Sequence, residues 1–221
     1  MAKIISPAAI STRKLEIQRK NKLIIIYITA FVLLIIIIFF IVKSNVWAVI
    51  FVAFVLSFFL YNIIIFSKKI NDAKIGAKAE KYLSDFLDTH LSPAYWVVND
   101  VKIKYGNIDC LVIDTIKNCI FLLEIKSSKR FDSSKVSKWI KQCKLSEKLL
   151  KSIVFRVLGQ EVPIFTIVSL PFLDNQDYSY HFENSNVWMF GNRKLLEFID
   201  SVPKNNSKVD WYKFIDDICS K

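Results

Sequence analysis

Two apolar runs, IDCLVID (residues 108–114) and CIFLLEIK (residues 119–126), hold charged residues where a buried strand would carry aliphatic ones. Strand side chains alternate between faces. Asp109 therefore shares a face with Leu111 and Ile113, and Glu124 and Lys126 share one with Ile120 and Leu122. A turn over residues 115–118 would join the runs as a hairpin, so Asp109, Glu124 and Lys126 can meet on one side of a sheet. Two carboxylates and an ammonium placed there are costly unless they pair or bind a cation. Two hard oxygen ligands suit Mg²⁺ or Mn²⁺, with water and phosphate oxygens completing the shell. A lysine beside such an ion can position or activate a water and stabilise charge on a phosphate. The spacing leaves a second arrangement open, with Glu124 and Lys126 at a strand end in solvent and Asp109 in the turn.

The elements that must position these residues follow from hydrophobic periodicity. A helix capped by Asn71 runs to about Thr89, with Ile75, Ala79, Tyr82, Leu83, Phe86 and Leu87 at helical spacing. A short strand over residues 95–99 and a turn at Gly106-Asn107 precede the hairpin. Ser133 or Ser134 caps a helix to about Phe155, with an apolar stripe through Val136, Trp139, Ile140, Cys143, Leu150 and Ile153. Residues 164–170 form a strand ended by Pro171, and residues 186–190 suit another. Asn192 caps a helix over 193–201, and a last amphipathic helix covers 210–219. The order is α-β-β-β-α-β-(β)-α-α, which predicts an α/β domain with a mixed sheet flanked by helices.

The chain resembles the nuclease-related domain family, NERD, a branch of the PD-(D/E)xK nuclease superfamily. The resemblance lies in Gly76-Ala-Lys-Ala-Glu80 on the first helix, Gly106-Asn-Ile-Asp109, Glu124-Ile-Lys126, and Gln142 on the next helix. It covers roughly residues 75–170. It implies a restriction-endonuclease-like αβββαβ core and divalent-metal phosphodiester hydrolysis. By that likeness Asp109 and Glu124 are metal-binding acids, Lys126 the catalytic lysine, and Glu80 and Gln142 accessory polar positions. Three departures bear on loop shape more than on the acids: Ala79 replaces a second glycine before Glu80, Ser127-Ser128-Lys129-Arg130 replaces a glycine after the lysine, and Ile108 stands for the proline. By helical geometry, Glu80 and Gln142 each border the apolar stripe of their own helix, where they can reach the sheet or simply meet solvent.

Of the 221 residues, 53% are hydrophobic, yet Lys+Arg outnumber Asp+Glu by 31 to 20. Such hydrophobicity excludes a disordered chain, and 4 Gly and 5 Pro exclude collagen-like and low-complexity classes. The apolar residues are segregated. Residues 23–42 and 45–66 carry no charge, and each run is long enough to cross a bilayer. Only Lys43 and Ser44 separate them, which predicts a transmembrane helical hairpin. Asn62 in the second run is expected to hydrogen-bond to the first. Neither run holds a charged residue, which argues against a transporter fragment.

The organisation expected is a basic segment over 1–22, the hairpin over 23–66, and one soluble domain over 67–221. Lysine and arginine flank the hairpin on both outer sides, so the positive-inside rule puts both termini in the cytoplasm, at a bacterial-type inner (plasma) membrane. Cys110, Cys119 and Cys143 lie in apolar patterns and suit a reducing compartment. With no C-x-x-C pair and 2 His, a structural zinc site is not supported.

From Lys126 to Arg156, both included, stand ten basic residues against Asp132 and Glu147. Lys129, Arg130, Lys138, Lys141 and Lys148 of this stretch are candidates for contacting phosphates of nucleic acid, DNA in the first instance. A solvated helix face, or one that leans on anionic lipid, explains the same charge. No aromatic platform or base-reading motif is visible. The expected partners are thus nucleic acid and the lipid bilayer, and the expected function is a membrane-anchored, Mg²⁺- or Mn²⁺-dependent nuclease. A non-catalytic membrane-tethered module binding nucleic acid or protein is the alternative.

Overall fold

The computed structural model describes residues 1–42, 46–104, 106–129 and 133–220. Lys43 and Ser44 of the expected hairpin turn, and Arg130, lie outside the described residues. The chain divides into two compact units: residues 1–10 with 76–221, and residues 11–75.

The first unit is built on a seven-stranded mixed sheet of order β1-β2-β3-β4-β5-β7-β6. Its strands are β1 (Lys3–Ser6), β2 (Tyr95–Ile103), β3 (Gly106–Asp114), β4 (Cys119–Ile125), β5 (Ile164–Ser169), β6 (Ser179–Phe182) and β7 (Val187–Phe190). β2, β3 and β4 form an antiparallel meander. β4, β5 and β7 run parallel. A parallel neighbour needs a long crossover, and α3 (Ser133–Leu158) supplies it between β4 and β5. The α/β class and mixed sheet expected from sequence are present, as are the helices α4 (Asn192–Ser201) and α5 (Trp211–Cys219).

The hairpin that carries the charged residues closes through Asp114. Its Oδ1 accepts from the Ile116 and Lys117 N–H groups at 2.9 and 2.8 Å. Asn118 takes the left-handed φ of 53° that the turn requires, as asparagine tolerates. Every residue of β4 is buried, because helices cover both sheet faces. Leu83 and Leu87 pack with Cys110, Val112, Phe121 and Leu123 on one face. Leu150, Val154 and Phe214 pack with Leu111, Ile113, Ile120 and Leu122 on the other.

Two strands were not expected. Residues 3–6, read as part of a basic segment, form β1 and pair parallel with β2. Ser6 and Asn99 fix this edge: Ser6 Oγ donates to the Asn99 carbonyl, and Asn99 Nδ2 donates to the Ser6 carbonyl, at 2.5 and 2.9 Å. Residues 179–182 form β6, antiparallel to β7. The cap expected at Asn192 falls one residue earlier, at Gly191. Asn71 caps nothing, because α2 (Val46–His90) is already helical there.

The second unit consists of α1 (Ile10–Val42) from Ser11 onward and α2 as far as Ile75. Both helices contain windows long and apolar enough to cross a membrane. Side chains such as Ile25, Phe31, Phe54 and Ile64 point outward, as a lipid-facing helix requires. Arg19 Nη1 donates to the Lys69 carbonyl at 2.7 Å, tying the two helices. Asn62 does not reach the first span. Its Nδ2 donates to the Phe58 carbonyl of its own helix at 2.8 Å, because a carbonyl four residues back is always within reach of a short amide.

Candidate active site

Cys110 pairs with Leu123 in the β3–β4 ladder. Asp109 and Glu124 are the next positions outward on the same two strands, so the register sets their carboxyls facing each other. The Asp109 Oδ2 accepts the Ile125 N–H at 2.7 Å, which anchors the side chain across the strands. Glu124 is fully buried. Lys126 stands two residues on, hence on the same face, and its ammonium donates to Glu124 Oε1. The Lys126 N–H is held by the Ser169 carbonyl of β5 at 2.9 Å, so β4 stays in the sheet up to the lysine. From α3, Gln142 Oε1 accepts from Lys126 Nζ at 3.4 Å.

Asp109, Glu124, Lys126 and Gln142 are thus brought together. Glu80 is placed differently. Its helix packs Ala79 and Leu83 on the Cys110 face of the sheet, and its charge acts on the Cys110 thiol, whose pKa burial, Asp109 and Glu80 push up. α3 lies on the opposite face with Leu111 and Leu122. Helical angle alone could not tell which sheet face Glu80 would approach.

Electrostatics distinguish the groups. Burial, then the charge of Asp109, lifts Glu124 to about 8, although Lys126 pulls the other way. Burial also raises Asp109, against the pull of Lys126 and the Ile125 N–H. The charge of Asp109 disfavours a second charge on Glu124, so without a cation the pair favours holding one proton. Burial alone would lower Lys126, but Glu124 and Asp109 outweigh it and raise its pKa. Lys126 is therefore a held ammonium and not a free base.

Asp100 is the neighbour that sequence did not single out. It adopts a left-handed φ of 58°, accepts from Asn107 Nδ2 at 2.8 Å, and adds negative charge beside Asp109. No periodicity marks it, because its role depends on an irregular backbone step in β2.

The fit to a divalent cation can be tested on the donor set. Glu124 Oε2 is buried without a hydrogen-bond partner. Such an orphan is costly unless a proton or a cation meets it. Two carboxylates facing each other are the hard oxygen donors that Mg²⁺ or Mn²⁺ takes while keeping several waters. Among the described residues no group of three or more His, Cys, Asp or Glu is placed to hold a metal.

Residues 75–171 match the nuclease-related domain, NERD. The match starts on α2 and ends just past β5, so it contains Glu80, Asp109, Glu124, Lys126 and Gln142. No curated protein and no solved structure matches the chain. Beyond the NERD segment lie β1, the two apolar helices, and the β6–β7 and α4–α5 additions that complete the sheet and its cover.

The basic stretch continues from Lys126 along α3. Lys129, Lys138, Lys141 and Lys148 are exposed. Lys144 and Lys151 instead pair with Glu147 at 3.1 and 2.7 Å.

Proposed function

We propose that this protein is a membrane-anchored, divalent-metal-dependent nuclease that hydrolyses phosphodiester bonds. The observation that carries the proposal is the buried Glu124 carboxyl. One of its oxygens is held by Lys126 and the other is without a partner, and Asp109 stands beside it. Asp109 and Glu124 would hold Mg²⁺ or Mn²⁺. A metal held there supplies charge neutralisation and polarises a phosphate oxygen. Lys126, kept protonated by both carboxylates, stabilises the negative charge that develops on the phosphate as the P–O bond breaks. Gln142 accepts from Lys126 and so limits where the ammonium points. Lys129, Lys138, Lys141 and Lys148 neutralise flanking phosphates.

Anchoring rests on α1 and α2, which are long and apolar enough to span a bilayer. β1 precedes both helices yet pairs with β2, which follows them. This pairing supports a topology with the segments before and after the apolar helices on one side of the membrane and an even number of crossings. The positive flanks support the cytoplasm as that side.

The test is cleavage of labelled DNA and RNA by the full chain in detergent, with Mg²⁺, with Mn²⁺ and with chelator. Cutting that needs the metal is expected. Binding without cutting under every metal would replace the nuclease by a tethered binding module.

A further inference from the structure

β6 brings aromatic rings to a place where sequence showed none. Tyr180 and Phe182 alternate onto one face of this edge strand, and Phe182 packs near Val136, Trp139 and Cys143 of α3. The Tyr180 ring lies 4.6 Å from that of Phe182, tilted by 58°, and Tyr180 is 52% exposed. Across from it α3 presents Ile140 and Lys141. Together with Ser137 and Glu183 these residues line an open cleft of about 810 Å³. The next residue of α3, Gln142, is the one that touches Lys126.

We propose that this cleft binds unpaired nucleotides of the substrate, one base stacking on Tyr180 and its phosphate meeting Lys141. The proposal names the substrate class of the nuclease reading and rests on it. An exposed aromatic face beside a basic helix recognises a splayed base of any sequence, since every base has a π-face. Bases inside a duplex are already stacked and offer no face to Tyr180. Lys138 and Lys141, exposed on the bordering helix, complement the strand's charge. β4 and β6 are three strand spacings apart in the sheet, about 14 Å, or about four nucleotides at the stacked rise. One strand can therefore occupy the cleft and the carboxylate pair at once.

The experiment measures binding of the full chain in detergent, with chelator present so that nothing is cut. The probes are labelled oligo(dT), oligo(U) and a DNA duplex of equal length. Both single strands are expected to bind more tightly than duplex if the cleft reads unpaired bases alone, and a preference for one sugar assigns DNA or RNA. Tyr180→Ala should weaken single-strand binding at least about fivefold and leave duplex binding little changed. Tyr180→Phe, which keeps the ring, should restore it. Equal losses for single strand and duplex, no loss, or no single-strand binding would each overturn the proposal. Tyr180-dependent binding in a chain that cuts nothing with metal would reject the hydrolase and leave the cleft. Metal-dependent cutting indifferent to Tyr180 would do the reverse.

Discussion

The ammonium of Lys126 donates to the buried carboxyl of Glu124, two residues earlier on the same strand. β4 is covered on both faces, so this pair lies where charge is expensive and would serve no purpose as ordinary packing. The facing Asp109 makes the expense larger, because it adds a second carboxyl whose charge raises the pKa of Glu124.

Lys126→Ala should abolish cleavage while the protein still folds and binds metal. Stranding a buried charge ordinarily costs about 3–5 kcal/mol. Here the loss should be smaller, because Glu124, raised to about 8, already holds a proton at neutral pH. Denaturant unfolding and metal titration of the variant check this. Unfolding of the domain would mark the pair as structural.

Metal-free stability should depend on pH in a particular direction. Glu124 titrates near 4.5 when unfolded and near about 8 when folded. The folded state thus binds the extra proton more tightly, and the stability it confers is complete below pH 4.5. It is lost as pH rises through about 8. Thermal unfolding across that window should show the decline, and saturating Mg²⁺ should flatten it by replacing the proton. Asp109→Asn should also shrink it, since Asp109 is the second cause of the shift.

The hairpin over β3 and β4 was readable because its alternation and turn residues are local. The mutual approach of Asp109, Glu124 and Lys126 followed from that alternation. Gln142 followed from helical spacing plus the resemblance. Which sheet face the helix of Glu80 covers was not readable, since helical phase fixes the stripe but not the face it meets. β1 and β6 are 4 residues each and half-exposed, too short for a period to register. Their pairing comes from distant partners: Ser6 with Asn99, and Tyr180 with Met189. The aromatic cleft was invisible because Lys141 and Tyr180 are brought together only by the β5–β7–β6 sheet order.

Deleting residues 3–6 should lower the melting temperature of the sheet domain, because it strips the β2 edge and leaves Asn99 Nδ2 without its Ser6 partner. Reporters fused at the two termini should report the same compartment, the cytoplasm. A periplasmic C-terminus would defeat both the topology and access to cytoplasmic nucleic acid.

Reversing Lys138, Lys141 and Lys148 to Glu should weaken nucleic-acid binding and flatten its salt dependence. Each phosphate left without its lysine should reduce the log–log slope by roughly 0.7–0.9. An unchanged slope, with weaker binding to anionic vesicles, would assign the helix to the bilayer.

The central claim is that Asp109 and Glu124 form a metal site serving phosphodiester cleavage, and Glu124→Gln in the full chain tests it most directly. Cleavage with Mg²⁺ or Mn²⁺ and thermal stability without metal are measured side by side. The account predicts that the variant loses cleavage and the stabilisation conferred by metal. It also predicts that, metal-free and above about pH 8 where Glu124 is charged, the variant is at least as stable as the parent, because repulsion with Asp109 is gone. Parent protein that cuts neither DNA nor RNA with either metal, together with a variant that is less stable without metal above that pH, would contradict it.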